Sequence, residues 1–298
     1  MINRDTIKTM LLRFQFLIFL LSQVFCLSAE QKKRPIQEYP YEHAFSVLFM
    51  PDQKYPYFQS MPFGYQPTRA INSALWHAEL ALLLYNEKNF ILDQLKNLQV
   101  NTTYYDAPHT DTQAILIQSV NNCHAIFRGT ETFNLRDTLT DSLFWTTEWQ
   151  GGGRVHRGFQ RAIDDLLQAT SISADLRKCQ NLTMAGHSLG AALATLAADI
   201  IPGVQKIYSF GAPRVGDENF VKNHNVETIR YVHSTDIVSF IPIRSMGYKH
   251  STAITPLTSQ HKYPPGISWN LIKKKIFLPI IDHAMVFYCL AFNDRVQN

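Results

Sequence analysis

The sequence predicts an α/β domain, a mainly parallel central sheet with helices on both faces. Three observations carry this. From residue 158 onward, runs with helical apolar spacing alternate with short β-rich runs: helix, strand, helix, strand, strand, helix. That alternation builds parallel sheets with covered faces. Upstream, "AILIQSV", Asn121-Asn122 and "CHAIFRG" read as a hairpin that supplies an antiparallel part. Between the two, "LTMA" passes abruptly into "SLGAALATLAADII", a strand turning into a helix around a serine set between glycines.

Taken in order, the elements begin after a leader. Residues 1–29 carry Arg4, Lys8 and Arg13 ahead of an apolar centre from Phe14 and a small-residue end at Ser28-Ala29. This is the pattern of a secretory signal peptide, and the apolar part is short for the roughly 20 residues a spanning helix needs. The expected location is secreted or periplasmic, with an uncleaved membrane anchor as the alternative. Residues 30–68, rich in Pro, Tyr and Gln, read as an extended lead-in, and 69–298 as one α/β domain. That domain opens with "INSALWHAELALLLYNE", whose Ala74, Leu75, Ala78, Leu82 and Tyr85 have helical spacing. After the hairpin, "GFQRAIDDLLQAT" puts Phe159, Ile163, Leu166 and Leu167 on one helical face. "QKIYSFG" and "TIRYVHS" are strands that run into loops, and "IIDHAMVFYCLAF" closes the domain as a helix.

Charge and cysteines narrow the class. The chain has 28 basic and 24 acidic residues, near balance with or without the leader, so nucleic acid is not an expected partner. Beyond Cys26 in the leader, Cys123, Cys179 and Cys289 allow at most one internal disulfide. They lack metal-ligand spacing and read as buried small apolar residues. No oligomeric state is legible.

The strand-to-helix corner is Gly186-His187-Ser188-Leu189-Gly190. Flanking glycines let the backbone double back, so the corner serine is presented at the carboxyl edge of the sheet beside a helix N-terminus. A serine hydroxyl attacks only when a base takes its proton, usually a histidine oriented by a carboxylate. On such a corner the order is serine, acid, histidine. Asp236 directly follows "TIRYVHS", at the edge where ligands bind in these sheets. Asp217 is the second candidate. Glu227 opens a strand at the opposite edge, and Asp199 lies about three turns down the helix. His283 is favoured as base, with His250 and His261 as alternatives. His187 cannot easily reach its neighbour across a tight turn and reads as structural, as does His156.

Seven blocks in this order, "AIFRGTE", "LRDTLTDSL", "VHRGFQRAI", "MAGHSLGAALATLAA", "YSFGAPRVGDENF", "DIVSFIP" and "DHAMVFY", resemble those of the class 3 lipase family. That family includes fungal triacylglycerol lipases and plant phospholipase A1-type enzymes. The blocks span about residues 125 to 288. The resemblance implies an α/β-hydrolase fold with Ser188 as nucleophile, Asp236 as orienting acid and His283 as base. It also implies an oxyanion hole from Thr130 and the backbone N–H of Leu189, and no metal or cofactor. Two blocks depart from the family: "IVSFIP" has its proline late after the acid, and "DHAMVFY" is longer than in fungal members. Both bear on acyl-chain and head-group preference.

Past Thr130, Leu135, Leu139 and Leu143 recur every fourth residue, followed by Phe144, Trp145 and Trp149. The resemblance favours a lid over the site; the alternative is a helix packed on the core. Gly151–Gly153 read as a flexible joint for it. Lys273–Lys275 read as a solvated face or a contact with anionic head groups, a route to peripheral membrane contact. Asn101 and Asn181 match the glycosylation acceptor pattern. The expected function is hydrolysis of lipid carboxylic esters at a lipid–water interface. The alternatives are phospholipase A1, a broad carboxylesterase, acyl transfer to an alcohol, and an inactive lipid-binding or host-interaction protein.

Overall fold

The structure, a computed structural model, describes residues 70–96, 100–119, 122–129, 145–258 and 281–297. The leader, the lead-in and the lysine run lie outside the described residues. Among the described residues no helix is long and apolar enough to cross a membrane.

Helix α1 (Ala70–Leu83) and helix α2 (Lys88–Lys96) precede three strands, β1 (Asn101–Ala107), β2 (Thr112–Gln118) and β3 (Asn122–Phe127). A small hairpin of β4 (Thr146–Glu148) and β5 (Arg154–His156) leads into α3 (Arg157–Ala169) and the short α4 (Ile172–Leu176). Strand β6 (Asn181–His187) then runs into α5 (Leu189–Ile200), followed by β7 (Val204–Phe210), α6 (Glu218–Asn223), β8 (Glu227–His233), β9 (Ile254–Leu257) and α7 (Met285–Gln297). Seven strands form one sheet in the order β1-β2-β3-β6-β7-β8-β9. The first two pairings are antiparallel and the other four parallel.

Side chains alternate across this sheet with period two. Ile115, Ile117, Ile126, Ala185, Tyr208 and Phe210 face one layer, built by α1 and α7. Ala114, Leu116, Ala125, Phe127, Leu182 and Met184 face the other, built by α3, α4 and α5. Because both faces are covered, these strands read in sequence as nearly continuous apolar runs. Helix α3 inserts Phe159, Ala162, Ile163 and Leu166 and keeps its polar residues outside. Each fully buried large side chain of this kind stabilises the fold by about 1.5–3 kcal/mol.

Two expectations need correction. Cys123 and Cys179 form a disulfide with Cα atoms 5.9 Å apart, while Cys289 is a buried free thiol. The bond joins the start of β3 to the segment before β6, two strands paired side by side, so the fold itself brings the cysteines together. Gly151–Gly153 are not a loose joint. They close the β4–β5 hairpin, where Trp149 N–H donates to the Gly153 carbonyl at 3.0 Å. Gly152 and Gly153 hold φ of 94° and 78°, a left-handed turn only glycine takes without strain. Nearby, Trp149 Nε1–H donates to Asp199 at the far end of α5.

Candidate active site

The ends of the parallel strands line up. Phe127 of β3 pairs with Gly186 of β6, His187 with Phe210 of β7, and Phe210 with Tyr231 of β8. The residues that follow each strand therefore leave the sheet along one edge, as the sequence pattern predicts.

Ser188 is at the corner between β6 and α5, with φ 56° and ψ −125°. A non-glycine residue there stores roughly 1–3 kcal/mol of strain. The corner holds because Ser188 N–H donates to the Phe210 carbonyl at 2.9 Å and the flanking glycines permit close approach. A Cβ on Gly190 would lie 2.1 Å from the Phe127 carbonyl oxygen, and one on Gly186 would lie 2.2 Å from Gly190. The first N–H groups of α5, Leu189 among them, have no partner within the helix and form a ready site for negative charge.

Asp236 begins the loop after β8 and is fully buried. Its Oδ1 accepts from Val238 N–H at 2.9 Å. Its Oδ2 accepts from His283 Nδ1 at 2.8 Å and from the Tyr288 hydroxyl on α7. A carboxylate with three donors is held in one orientation. Tyr288 remains a donor, because burial and the adjacent Asp236 push its pKa well above the usual phenol value. His283 lies in the turn before α7, 3% exposed. With Nδ1 on Asp236, its other nitrogen is the free one. His283 Nε2 and Ser188 Oγ are both buried and neither has a hydrogen-bond partner among the described residues.

Sequence reasoning missed Gly211, which follows β7 at φ 58°. A Cβ there would stand 2.6 Å from Asp236 Oδ2, 2.9 Å from Tyr288 Oη and 3.1 Å from His283 Nδ1. Its lost side chain is the space the acid–base pair occupies. Tyr288 was also missed, although it stands in the quoted "DHAMVFY" block; only the fold shows that its hydroxyl turns onto the carboxylate.

The other candidates go elsewhere. Asp217 caps α6, accepting from Phe220 N–H at 2.9 Å. Glu218 pairs with Lys249 and Lys222. Asp282, although adjacent to the base, accepts from Thr235 instead. His250 meets the Ser239 carbonyl at 2.7 Å, and His156 caps α3. Thr130, Leu135, Leu139, Leu143, Phe144 and His261 lie outside the described residues. Trp145, the last of the lid candidates, is 63% exposed and so is not packed on the core. Among the described residues no cluster of metal-ligating side chains occurs.

A serine on a strained strand–helix corner, at the same sheet edge as a histidine held by a buried aspartate, can be compared with known proteins. Residues 124–246 match the family model described as Lipase (class 3). Through this central region the chain is similar to the class 3 lipase family. It is 29% identical over 160 residues to a lipase of Rhizopus oryzae, a match covering 47% of this chain and 40% of that protein. It is 30% identical over 148 residues to the secreted mono- and diacylglycerol lipase LIP1 of Malassezia globosa, covering 41% of this chain and 47% of the relative. The chain thus spans about half or less of the length of these curated relatives. In three dimensions it resembles the native Rhizomucor miehei lipase propeptide complex, with a TM-score of 0.56 at 21% identity, over 73% of this chain and 80% of that one. That likeness establishes the α/β-hydrolase fold of the chain.

Proposed function

We propose that the chain is a serine hydrolase of lipid carboxylic esters, acting on substrate presented at a lipid–water interface. The observation that carries the reading is that Ser188 Oγ and His283 Nε2 are both buried with their hydrogen-bonding capacity unused, while the His283 ring is fixed by Asp236 through its other nitrogen. Ser188 attacks the ester carbonyl as His283 Nε2 takes its proton. Asp236 keeps the ring in the tautomer with Nε2 free and stabilises the imidazolium that forms. The Leu189 N–H and Thr130 hold the oxyanion; each such donor is worth about 10²–10³ in rate. His283 returns the proton to the leaving alcohol, and water then repeats the sequence on the acyl-enzyme to release the fatty acid.

The family and the names of its relatives, several of them mono- and diacylglycerol lipases, support glycerides as the substrate class. The secreted relatives support export of this chain, with residues 1–29 as its signal. The apolar lid residues, ending in exposed Trp145, support contact with a lipid surface.

The test is fatty-acid release from emulsified triacylglycerol, diacylglycerol, phosphatidylcholine and a short soluble ester, beside Ser188→Ala. Release abolished by the substitution is the expected result, and the preferred ester separates lipase from phospholipase. A folded wild-type protein inert on all four would remove the reading.

A further inference from the structure

His187 precedes the nucleophile, and its role is visible only in three dimensions. The ring is buried, with Nε2 at 2.8 Å from the backbone carbonyl oxygen of His283 and Nδ1 at 2.6 Å from the Tyr85 hydroxyl. A carbonyl only accepts, so Nε2 carries the hydrogen and Nδ1 accepts from Tyr85. A neutral ring therefore satisfies both partners, and burial together with nearby His283 holds the pKa of His187 well below the ordinary value. The rings of His187 and His283 lie 4.4 Å apart, and that of Tyr288 lies 5.8 Å from His187. A neutral His187 adds no repulsion when His283 takes up a proton.

Tyr85 comes from the turn after α1, outside the segment matched by the family model. Its hydroxyl fills the place of a side chain at Gly129: a Cβ there would be 2.1 Å from Tyr85 Oη and 2.7 Å from the His187 carbonyl. Gly129 is the residue before Thr130. One hydroxyl thus packs against the end of β3 and hydrogen-bonds the end of β6. On the opposite side, Asp282 Oδ2 accepts from Thr235 N–H at 3.0 Å and from Thr235 Oγ1 at 2.6 Å, which ties the segment before His283 to the loop that carries Asp236.

We propose that His187 and Tyr85 are positioning residues: His187 fixes the backbone of His283 relative to the adjacent Ser188, and Tyr85 fixes His187 while bracing the strand end that leads to Thr130. The inference rests on the triad reading above. His187 needs no contact with substrate; it acts through the carbonyl of His283. The need is physical. His283 sits in a turn, where no regular element holds it, yet its Nε2 must meet Ser188 Oγ within a few tenths of an ångström. Two side-chain tethers, from His187 and from Asp282, supply what a helix or strand would otherwise provide.

The experiment compares His187→Phe, His187→Gln, His187→Asn and Tyr85→Phe in the full chain. A Gln amide reaches about as far as Nε2 and keeps an N–H for the His283 carbonyl; an Asn amide is too short, and Phe has no donor. With a short soluble ester, Phe and Asn should lower kcat about 10²-fold with KM changed by less than about threefold, while Gln recovers to within about tenfold of wild type. Tyr85→Phe should lie between. The NMR titration of the His283 imidazole should shift in Phe and Asn and return in Gln. Wild-type kcat in the Asn variant, or equal losses in Gln and Asn that follow Tm, would overturn the proposal by leaving only packing. An inert wild-type protein would remove the hydrolase reading instead; the His283 titration then decides the proposal alone, and an unmoved titration in the Asn variant would overturn it.

Discussion

Consider Gly211→Ala. At φ 58°, an alanine costs about 1–2 kcal/mol in backbone strain alone. Its Cβ would also stand 2.6 Å from Asp236 Oδ2, so the carboxylate must retreat by about 0.8 Å to reach an ordinary contact distance. That retreat stretches the bonds from His283 Nδ1 and Tyr288, which have no slack to give. Overpacking of this kind adds about 1–3 kcal/mol, so the total loss is about 2–5 kcal/mol, or a fall in Tm of at least about 4 °C. A shift of the base approaching 1 Å costs about 10² in kcat, and full loss of its orienting carboxylate about 10⁴. The control is Gly203→Ala, which shares a positive φ of 83° but has nothing within 4 Å of its Cβ. Both substitutions should lower Tm; only Gly211→Ala should lower kcat on a soluble ester. Equal kcat in the two variants would refute the argument that the acid–base pair occupies the missing side chain.

Acid should destabilise the fold well before its carboxylates are protonated. Burial lowers His77 and His250 to about 3 and His124 and His156 to about 4. Such groups stabilise the fold above their unfolded value of 6.5, and that contribution is lost as pH falls from there toward 3–4. Burial raises Glu79 to about 8, which opposes this by one proton between pH 4.5 and 8. Near pH 5.5 the unfolded chain therefore binds about three more protons, and urea-unfolding free energy should fall by about 4 kcal/mol per pH unit; a flat profile would contradict the burial. Replacing Cys123 and Cys179 by Ala opens a link between residues 56 apart, and the urea midpoint should drop by the equivalent of up to about 4 kcal/mol. Tyr288→Phe removes one of the donors that orient the Asp236 carboxylate, so kcat on a soluble ester should fall severalfold with little change in KM. Thr235→Val removes the hydroxyl bond to Asp282 and leaves the backbone N–H bond, and should lower kcat severalfold with little change in KM.

The proposed triad of Ser188, Asp236 and His283 could be put forward from sequence because each sits at a place that strand order defines: a corner, a strand end, and the loop before the last helix. The parallel strands were legible for a related reason, since burial on both faces writes them as apolar runs. Strand β1 escaped because it is an edge strand with little buried area, reading "NTTYYDA". Strand β9 escaped because Pro256 breaks its pattern. Gly151–Gly153 misled because a glycine run looks the same whether it flexes or closes a fixed turn. Gly211, Tyr85 and His187 owe their roles to contacts between elements up to about a hundred residues apart, and no local pattern carries that information.

The proposed base and the tyrosine bonded to its proposed acid both arrive with α7, which packs against α1 from the other end of the domain. Until they do, one face of the sheet lacks the cover that α7 gives, and Ser188 lacks the base proposed to activate it. On the proposed mechanism, a fragment ending before residue 281 should release no fatty acid. For a protein whose proposed substrates resemble the membrane lipids of the cell that makes it, the order of the chain is itself a safety catch, released only when the last helix docks.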